Sequence, residues 1–452
     1  MKEIRILSPS GMLGYGFPKE SFLNGIEKKP DVIAVDAGST DAGPHKLGAG
    51  VGIVSELAVE KDLTLILKAG FELDIPVIIG SAGGAGAKAH IDWTMTIVRK
   101  IVEKHGLHFK TAIVYADVDK DYVKKKMDTD DVHPLGPVPI LTESVVDLTN
   151  NIVGQMGVEP IMEALKDGAK LIVAGRAYDP APFAALPILM GYDSGLAYHL
   201  GKILECGALC AQPGTTKDCI MGYLREDHFL VEPLNDKRKC ITSSVAAHTL
   251  YEKDHPYILH GPGMYLDLSN SRFEQFSDNV VKVSGSKMTS PDKYTIKLEG
   301  AAKVAYRTLV VAGIRDPIMI RNIDDITRDV EQQVRNYFDE IPAEDFELIF
   351  HLYGKNGVMG DREREKTPCH ELGLVMEVVA KTQDLANTIC SSARSTMLHF
   401  PYEGRKATAG NLAFLYSPSD IEFGPVYKFT VYHLVNVDHP TELFPIDYFD
   451  LK

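Results

Sequence analysis

The stretch VIAVDAGSTDAGPHKLGAG, residues 32–50, sets two aspartates, a serine, a threonine and a histidine directly behind a short apolar run. A carboxylate beside an imidazole can move protons as acid and base, or hold a divalent cation. Asp41 and His45 are therefore candidate catalytic groups, Ser39 and Thr40 candidate substrate contacts, and Asp36, Asp41 and His45 a candidate metal set. Turn-making accounts for Gly38, Gly43 and Ser39. It does not account for Asp36, Asp41 and His45 falling so close together.

Other segments offer complementary chemistry. SPSGMLGYG (8–16) presents Ser10 to a substrate, or is a tight strand-to-helix connection with Pro18 setting the helix start. GSAGGAGAKAH (80–90) brings Ser81, Gly83, Gly84 and Gly86, whose backbone N–H groups can cradle a carboxylate or phosphate. That loop lacks the GK[ST] of a P-loop, and a helix occupies the span where a dinucleotide fingerprint needs a second strand and its acidic residue. GRAYDP (175–180) holds Arg176 and Asp179, either a fork for a substrate carboxylate or a local ion pair. HLGKILECGALCAQPG (199–214) puts Glu205 and Cys206 at a helix end, as reacting groups or, for the thiol, as inert packing. Arg405 stands in HFPYEGRKATAGNLAFLYSPSDIEFGPVY (399–427), irregular and long enough for a lid. HLYGKNGVMGDREREK (351–366) is a second lid candidate, although its DREREK run reads as a solvated face.

These loops need elements to position them. Short all-apolar runs bounded by glycine and proline alternate with helical-period stretches: IRILSP, DVIAVDAG, PVIIGSAGG, TAIVYAD and KLIVAGRAYD. Strands without polar alternation suit a parallel sheet covered on both faces. The expected fold is α/β, a doubly wound, mostly parallel, Rossmann-like three-layer domain over residues 1–212. The loops after its strands, ADVDKD (116–121) included, should gather at one edge, where such sheets bind ligands. Residues 213–452 read as a second α+β domain carrying the lid loops. From about residue 305 the order is strand, helix, strand, strand, helix, strand, the split motif of ferredoxin-like sandwiches, with Asp384 as an expected N-cap.

Composition narrows the partners. A formal charge of -14 repels a phosphate backbone, and KDYVKKKMD (120–128), the densest basic run, reads as a helix face, so nucleic acid is not expected. No apolar run has signal-peptide or membrane-span length, which gives the expectation of a cytoplasmic protein with no membrane partner. Six cysteines make no disulfide framework, and the spacing of Cys206, Cys210 and Cys219 fits no common zinc or cluster pattern.

DAGSTDAGP, AGRAYDPA, HLGKILECGA, VAAHTLYEKDHPYILHGPGMYLDLS and VVKVSGSK together resemble the acyclic terpene utilisation (AtuA-like) family. That family's GR-x-x-D loop falls on Gly175, Arg176 and Asp179, its G-x-x-x-ECGA segment on Gly201, Glu205, Cys206, Gly207 and Ala208, and its LYE stretch on Leu250 to Asp267. The C-terminal YSPSDIEFGPVYKF looks like a subfamily feature associated with small-carboxylate catabolism. The resemblance implies breakdown of branched acyl or small dicarboxylate compounds, and a large component working with a small partner protein.

The expectation is a lyase, foremost a hydro-lyase, acting on a small hydroxy or unsaturated carboxylate or an acyl-CoA. Such chemistry needs a base for the α proton, an acid for the leaving group and fixed donors for the enolate. The alternatives are a non-catalytic, ligand-binding subunit of a multi-component enzyme, and an NAD(P)-dependent oxidoreductase. No cofactor is identified beyond the divalent metal considered for Asp36, Asp41 and His45, and a homo-oligomer is expected for an enzyme of this size.

Overall fold

The computed structural model describes residues 3–252, 255–365 and 367–452. The chain divides into two compact units, Met1–Ala302 with Phe429–Lys452, and Lys303–Lys428.

In the first unit the strands Ile4–Ser8, Val32–Asp36, Val77–Gly80, Leu171–Ala174 and Phe109–Val114 lie side by side in that order, all parallel. Successive side chains point to opposite faces. On one face Ile33, Val35, Ile79 and Val173 pack with Phe22, Leu63, Ile66 and Ile91 of the helices Lys19–Glu27, Glu56–Leu73 and Lys88–His105. On the other, Ile6, Val32, Ile78 and Ile172 pack with Ile161, Phe183 and Leu200 of Glu159–Lys166, Ala181–Leu189 and Ser194–Leu204. Neither side meets water, hence the lack of polar alternation in these strands.

The strands that residues 1–212 give this sheet are all parallel, as expected, but later segments extend it with antiparallel strands, so the whole sheet is mixed. Ile220–Leu224 pairs antiparallel with the first strand and is followed outward by His228–Pro233, Val281–Ser284 and Arg272–Gln275. At the opposite edge Ile446–Leu451 pairs antiparallel with Phe109–Val114. Only residues 225–227 join Ile220–Leu224 to His228–Pro233, far too few for a parallel crossover. The boundary expected after residue 212 falls inside this unit, because Ile220–Leu224 is hydrogen-bonded to the first strand.

The chain enters the second unit within the strand Tyr294–Ile314 and leaves it within Asp420–Val437. In sheet order its strands are Phe346–Tyr353, Leu372–Ala380, Tyr294–Ile314 and Asp420–Val437. The helices Ile323–Tyr337 and Gln383–His399 supply Ile326, Val330, Ile389 and Met397 to a core shared with Val310, Leu348 and Leu374. Two local expectations shift. Thr382, not Asp384, caps the second helix, its hydroxyl accepting from the Leu385 N–H at 3.2 Å. TLVVAGIRDPIMI stops being strand at Ile314, because Asp316 accepts from the N–H groups of Ile318 and Met319 and opens the helical turn Pro317–Arg321. No helix among the described residues is long and apolar enough to cross a membrane.

Close packing of the loops behind the parallel strands makes a stability prediction. Gly86 has φ +69°, and a Cβ there would lie 2.1 Å from the Arg176 nitrogen, whereas Gly106 has φ +61° with open space around it. Gly106→Ala is expected to cost about 1–2 kcal/mol from backbone strain alone. Gly86→Ala should cost clearly more, and denaturant midpoints will compare them; equal losses would mean that the two loops do not touch.

Candidate functional site

The carboxyl ends of the parallel strands are laced together by their own backbone. Leu13 N–H donates to Asp36 O at 2.8 Å, Ala37 N–H to Gly80 O at 2.9 Å, Ser81 N–H to Gly175 O at 3.0 Å and Arg176 N–H to Gly86 O at 3.2 Å. Ser8 Oγ donates to Leu204 O at 2.7 Å, fixing the end of the helix Ser194–Leu204 against the first strand. The loops 8–16, 36–43, 80–90 and 175–180 and the ECGA turn therefore meet on one rim.

At the centre is Arg176, 1% exposed. Its Nε donates to Glu299 Oε2 at 2.7 Å, and its Nη1 to Asp179 Oδ1 at 3.1 Å, Ala177 O at 2.6 Å and Ser81 Oγ at 3.3 Å. Glu299 reaches it from the strand Tyr294–Ile314, which pairs antiparallel with Asn151–Gly154 in the register Glu299 to Val153. The other Glu299 oxygen accepts from Thr40 Oγ1 at 2.6 Å and faces Lys297 Nζ at 2.8 Å. Burial alone would raise the Glu299 carboxyl, but Arg176 and Lys297 outweigh it and hold it at about 2.

A second group lies beside this pair. Lys202, in the last turn of Ser194–Leu204, approaches Glu205 Oε1 at 2.5 Å and Glu252 Oε2 at 4.0 Å. Burial pushes the Glu205 carboxyl up to about 7; Lys202 opposes the rise and Asp179 adds to it. Asp36, the last residue of its strand, is buried with Oδ1 lacking a partner among the described residues, while Oδ2 accepts from Gly38 N–H at 3.3 Å. Burial, then the charges of Asp179 and Glu205, raise Asp36 well above the usual carboxylate range, against the pull of Arg176. Asp179, with its side chain 21% exposed, is the more solvent-facing member. The set comprises a glutamate pushed up to about 7, an aspartate raised well above the usual carboxylate range and a lysine ammonium, the parts from which acid–base catalysis is built.

The structure gathers Asp36, Ser81, Arg176, Asp179 and Glu205, and ties Thr40 to them through Glu299. Asp41 and His45 do not join them. Ser39 caps the turn Thr40–Ala42, with its Oγ donating to Asp41 Oδ2 at 3.0 Å, so Asp41 is held outward, and His45 is exposed on the short helix Pro44–Ala49. The metal set fails for the same reason: Asp36 faces inward and the other two outward. Among the described residues no three His, Cys, Asp or Glu side chains are placed to hold an ion.

Gly83, Gly84 and Gly86 do not form an open cradle; a Cβ on them would strike His90, Ile53 and Arg176. Their use is close loop packing. Ser81, at φ +46°, accepts from Ala177 N–H at 3.3 Å and so braces the Arg176 loop. Ser10 is buried and donates to Met12 O at 3.0 Å within its own loop. Burial, then the Glu205 charge, pushes the Cys206 thiol far up, which keeps it protonated and unsuited to nucleophilic attack. Arg405 lies in the second unit, where its Nε donates to Asn411 Oδ1 at 2.7 Å and its Nη2 to Ala409 O at 3.1 Å.

Sequence reasoning missed Lys202, Glu299, Lys297 and Glu252. The i, i+3 spacing of Lys202 and Glu205 was a usable signal; nothing local marks Glu299, which lies 123 residues from Arg176. The Leu250 to Asp267 stretch includes Lys253 and Asp254, and DREREK includes Lys366, which lie outside the described residues.

Two surface hollows lie on other residues. One of about 600 Å³, in the second unit, is lined by Asn387, Thr388, Ser391, Ser392, Ser395, Asp420 and Glu422. Another of about 420 Å³, in the first unit, is lined by Glu3, Arg5, Lys29, Asp31 and Arg225, of which Glu3 pairs with both arginines. Neither joins a buried proton donor to an acceptor, so the chemistry favours the Glu205 cluster over hollow size.

A family model described as acyclic terpene utilisation family protein AtuA matches residues 58–223 and 224–414. No curated protein and no solved structure matched the chain.

The Arg176–Glu299 pair makes a pH-dependent prediction. Glu299 falls from an ordinary 4.5 to about 2 on folding. At 1.36 kcal/mol per unit this contributes on the order of 3 kcal/mol, complete above pH 4.5 and lost as pH falls through about 2. Glu299→Gln leaves Arg176 short of a countercharge and should cost about 3–5 kcal/mol at neutral pH. Urea unfolding across pH should show that deficit steady above pH 4.5 and shrinking toward pH 2; a deficit unchanged by acid would contradict the pairing.

Proposed function

The chain belongs to the family of acyclic terpene utilisation AtuA proteins, and we propose that the Asp36, Asp179, Lys202 and Glu205 cluster is the active centre of a hydro-lyase. Its substrate is a small hydroxy or unsaturated carboxylate, or the corresponding acyl-CoA. The reading takes the first unit as a Rossmann-like, doubly wound layer with the ligand at its strand ends, and the second as partly ferredoxin-like. It also takes the protein to act in the cytoplasm as a homo-oligomer.

In the dehydrating direction ionised Glu205 removes the proton next to the carbonyl carbon. Asp36, whose carboxyl burial raises well above the usual range, gives its proton to the departing hydroxyl. One C–H and one C–O bond break, a C=C bond forms and water leaves; hydration runs the same steps backwards. Lys202 lies beside Glu205 to offset the enolate charge, the electrostatic help such steps need. The observation that carries this reading is Glu205, a buried carboxyl poised at about 7 and thus able to lose and regain a proton near neutrality.

Purified protein incubated with candidate hydroxy and unsaturated acids, free and as CoA thioesters, in isotope-labelled water should place solvent hydrogen on the α carbon and solvent oxygen in the hydroxyl. Dehydration should rise with pH as Glu205 ionises around 7. Glu205→Gln should lower kcat by about 10²–10⁴ and remove that limb of the pH profile. Full turnover by Glu205→Gln would overturn the assignment; isotope uptake only after adding a co-purified protein would favour the subunit reading. A cofactor fluorescence change on titration with NAD(P)H, without isotope uptake, would favour the oxidoreductase.

A further inference from the structure

Cys210 and Cys240 are both fully buried, and their Sγ atoms lie 3.9 Å apart. The backbone brings them together. Gln212 N–H donates to Lys239 O at 2.7 Å and Lys239 N–H to Gln212 O at 3.0 Å, an antiparallel bridge that sets the two segments at sheet spacing. The bridge pairs Gln212 with Lys239, and the cysteines stand two and one residues from it along their segments, with their sulfurs 3.9 Å apart. Closure needs the sulfurs to approach by roughly 2 Å, a shift in side chains and turn rather than in the bridge.

Each cysteine sits on a segment that leads to one carboxylate partner of Lys202. Cys210 ends the turn Gly207–Cys210 directly after Glu205 and Cys206. Cys240 precedes the helix Thr242–Thr249, after which comes Glu252. We propose that Cys210 and Cys240 form an oxidisable dithiol, closed to a disulfide by a peroxide, and that closure fixes the two segments that present Glu205 and Glu252 to Lys202. The second half of this proposal rests on the reading of that cluster as the active centre; the first half does not.

The chemistry balances with peroxide as the two-electron oxidant. One sulfur, losing its proton, attacks a peroxide oxygen; the O–O bond breaks, leaving a sulfenic acid and water. The second sulfur, losing its proton, attacks the first; the S–O bond breaks, the S–S bond forms and a second water leaves. The hydrogen bond that the Cys210 thiol makes to the Cys240 sulfur, then burial, pushes the Cys210 thiol well up and favours its protonated form. Oxidation is therefore slow and follows local opening of the turn, unlike that of an exposed peroxidatic cysteine.

The test uses the full-length native protein treated with hydrogen peroxide, digested without reductant and mapped by mass spectrometry. The expected product is one linked peptide joining Cys210 to Cys240, reversed by dithiothreitol and absent in Cys240→Ser. Cys210→Ala, or wild-type protein alkylated before oxidation, gives the same control should that variant fail to fold. Amide hydrogen exchange over residues 205–211 and 242–252 should slow in the oxidised form, and hydro-lyase turnover should change with it. Over-oxidation without a link, or a link to Cys206 or Cys219 instead, would overturn the dithiol. A link with slowed exchange but unchanged turnover would leave the dithiol standing and remove its coupling to the active centre.

Discussion

A guanidinium taken out of water must meet negative charge within hydrogen-bond reach, or the fold that buries it pays several kcal/mol. Arg176 meets it in Glu299, and most of the rim's geometry follows. Glu299 lies on a strand far along the chain, so the pair pins that strand to the loop after Leu171–Ala174. Thr40 hangs the 36–43 loop on the same carboxylate, and Ser81 braces the guanidinium from the glycine-rich loop. Gly86 lets that loop come within touching distance of the Arg176 backbone. The glycines thus serve one ion pair rather than an open anion site.

The charges left over define the chemistry. With Glu299 ionised and committed to Arg176 and Lys297, the remaining carboxyls, Asp36, Asp179 and Glu205, share the fields of Arg176 and Lys202. Burial and the neighbouring negative charges both disfavour ionisation of Asp36 and Glu205. Asp36, with an oxygen that none of the described residues satisfies, is raised well above the usual carboxylate range; Glu205, next to Lys202, is pushed up to about 7. In the proposed hydro-lyase these two carboxyls would divide the roles of acid and base.

Much of the frame was legible. The parallel strands announce themselves because both faces are buried, so their residues are apolar without alternation, and the loops behind them do meet. That antiparallel strands would extend the parallel sheet was not anticipated, although the three-residue link at 225–227 dictates an antiparallel pair there. Within the loops, proximity along the chain misled. Asp41 and His45 are near neighbours of Asp36, yet the Ser39 cap turns one outward and the short helix Pro44–Ala49 carries the other on its exposed side. Glu299 could not be found locally, because its partner is set by strand register, and register is a property of the folded sheet. Lys202 could have been found from its one-turn spacing to Glu205 on a helix that buries nearly every residue.

The central claim is that Glu205 changes protonation near neutrality inside a closed cluster of fixed charges. Isotope-edited infrared titration of protein carrying carbon-labelled glutamate observes this directly, by following protonated and ionised carboxyl bands in wild type and in Glu205→Gln. The expected result is one glutamate carboxyl titrating at about 7 that disappears in the variant. Identical titrations in the two proteins, with every glutamate ionised by about pH 5, as ordinary carboxyls are, would contradict it.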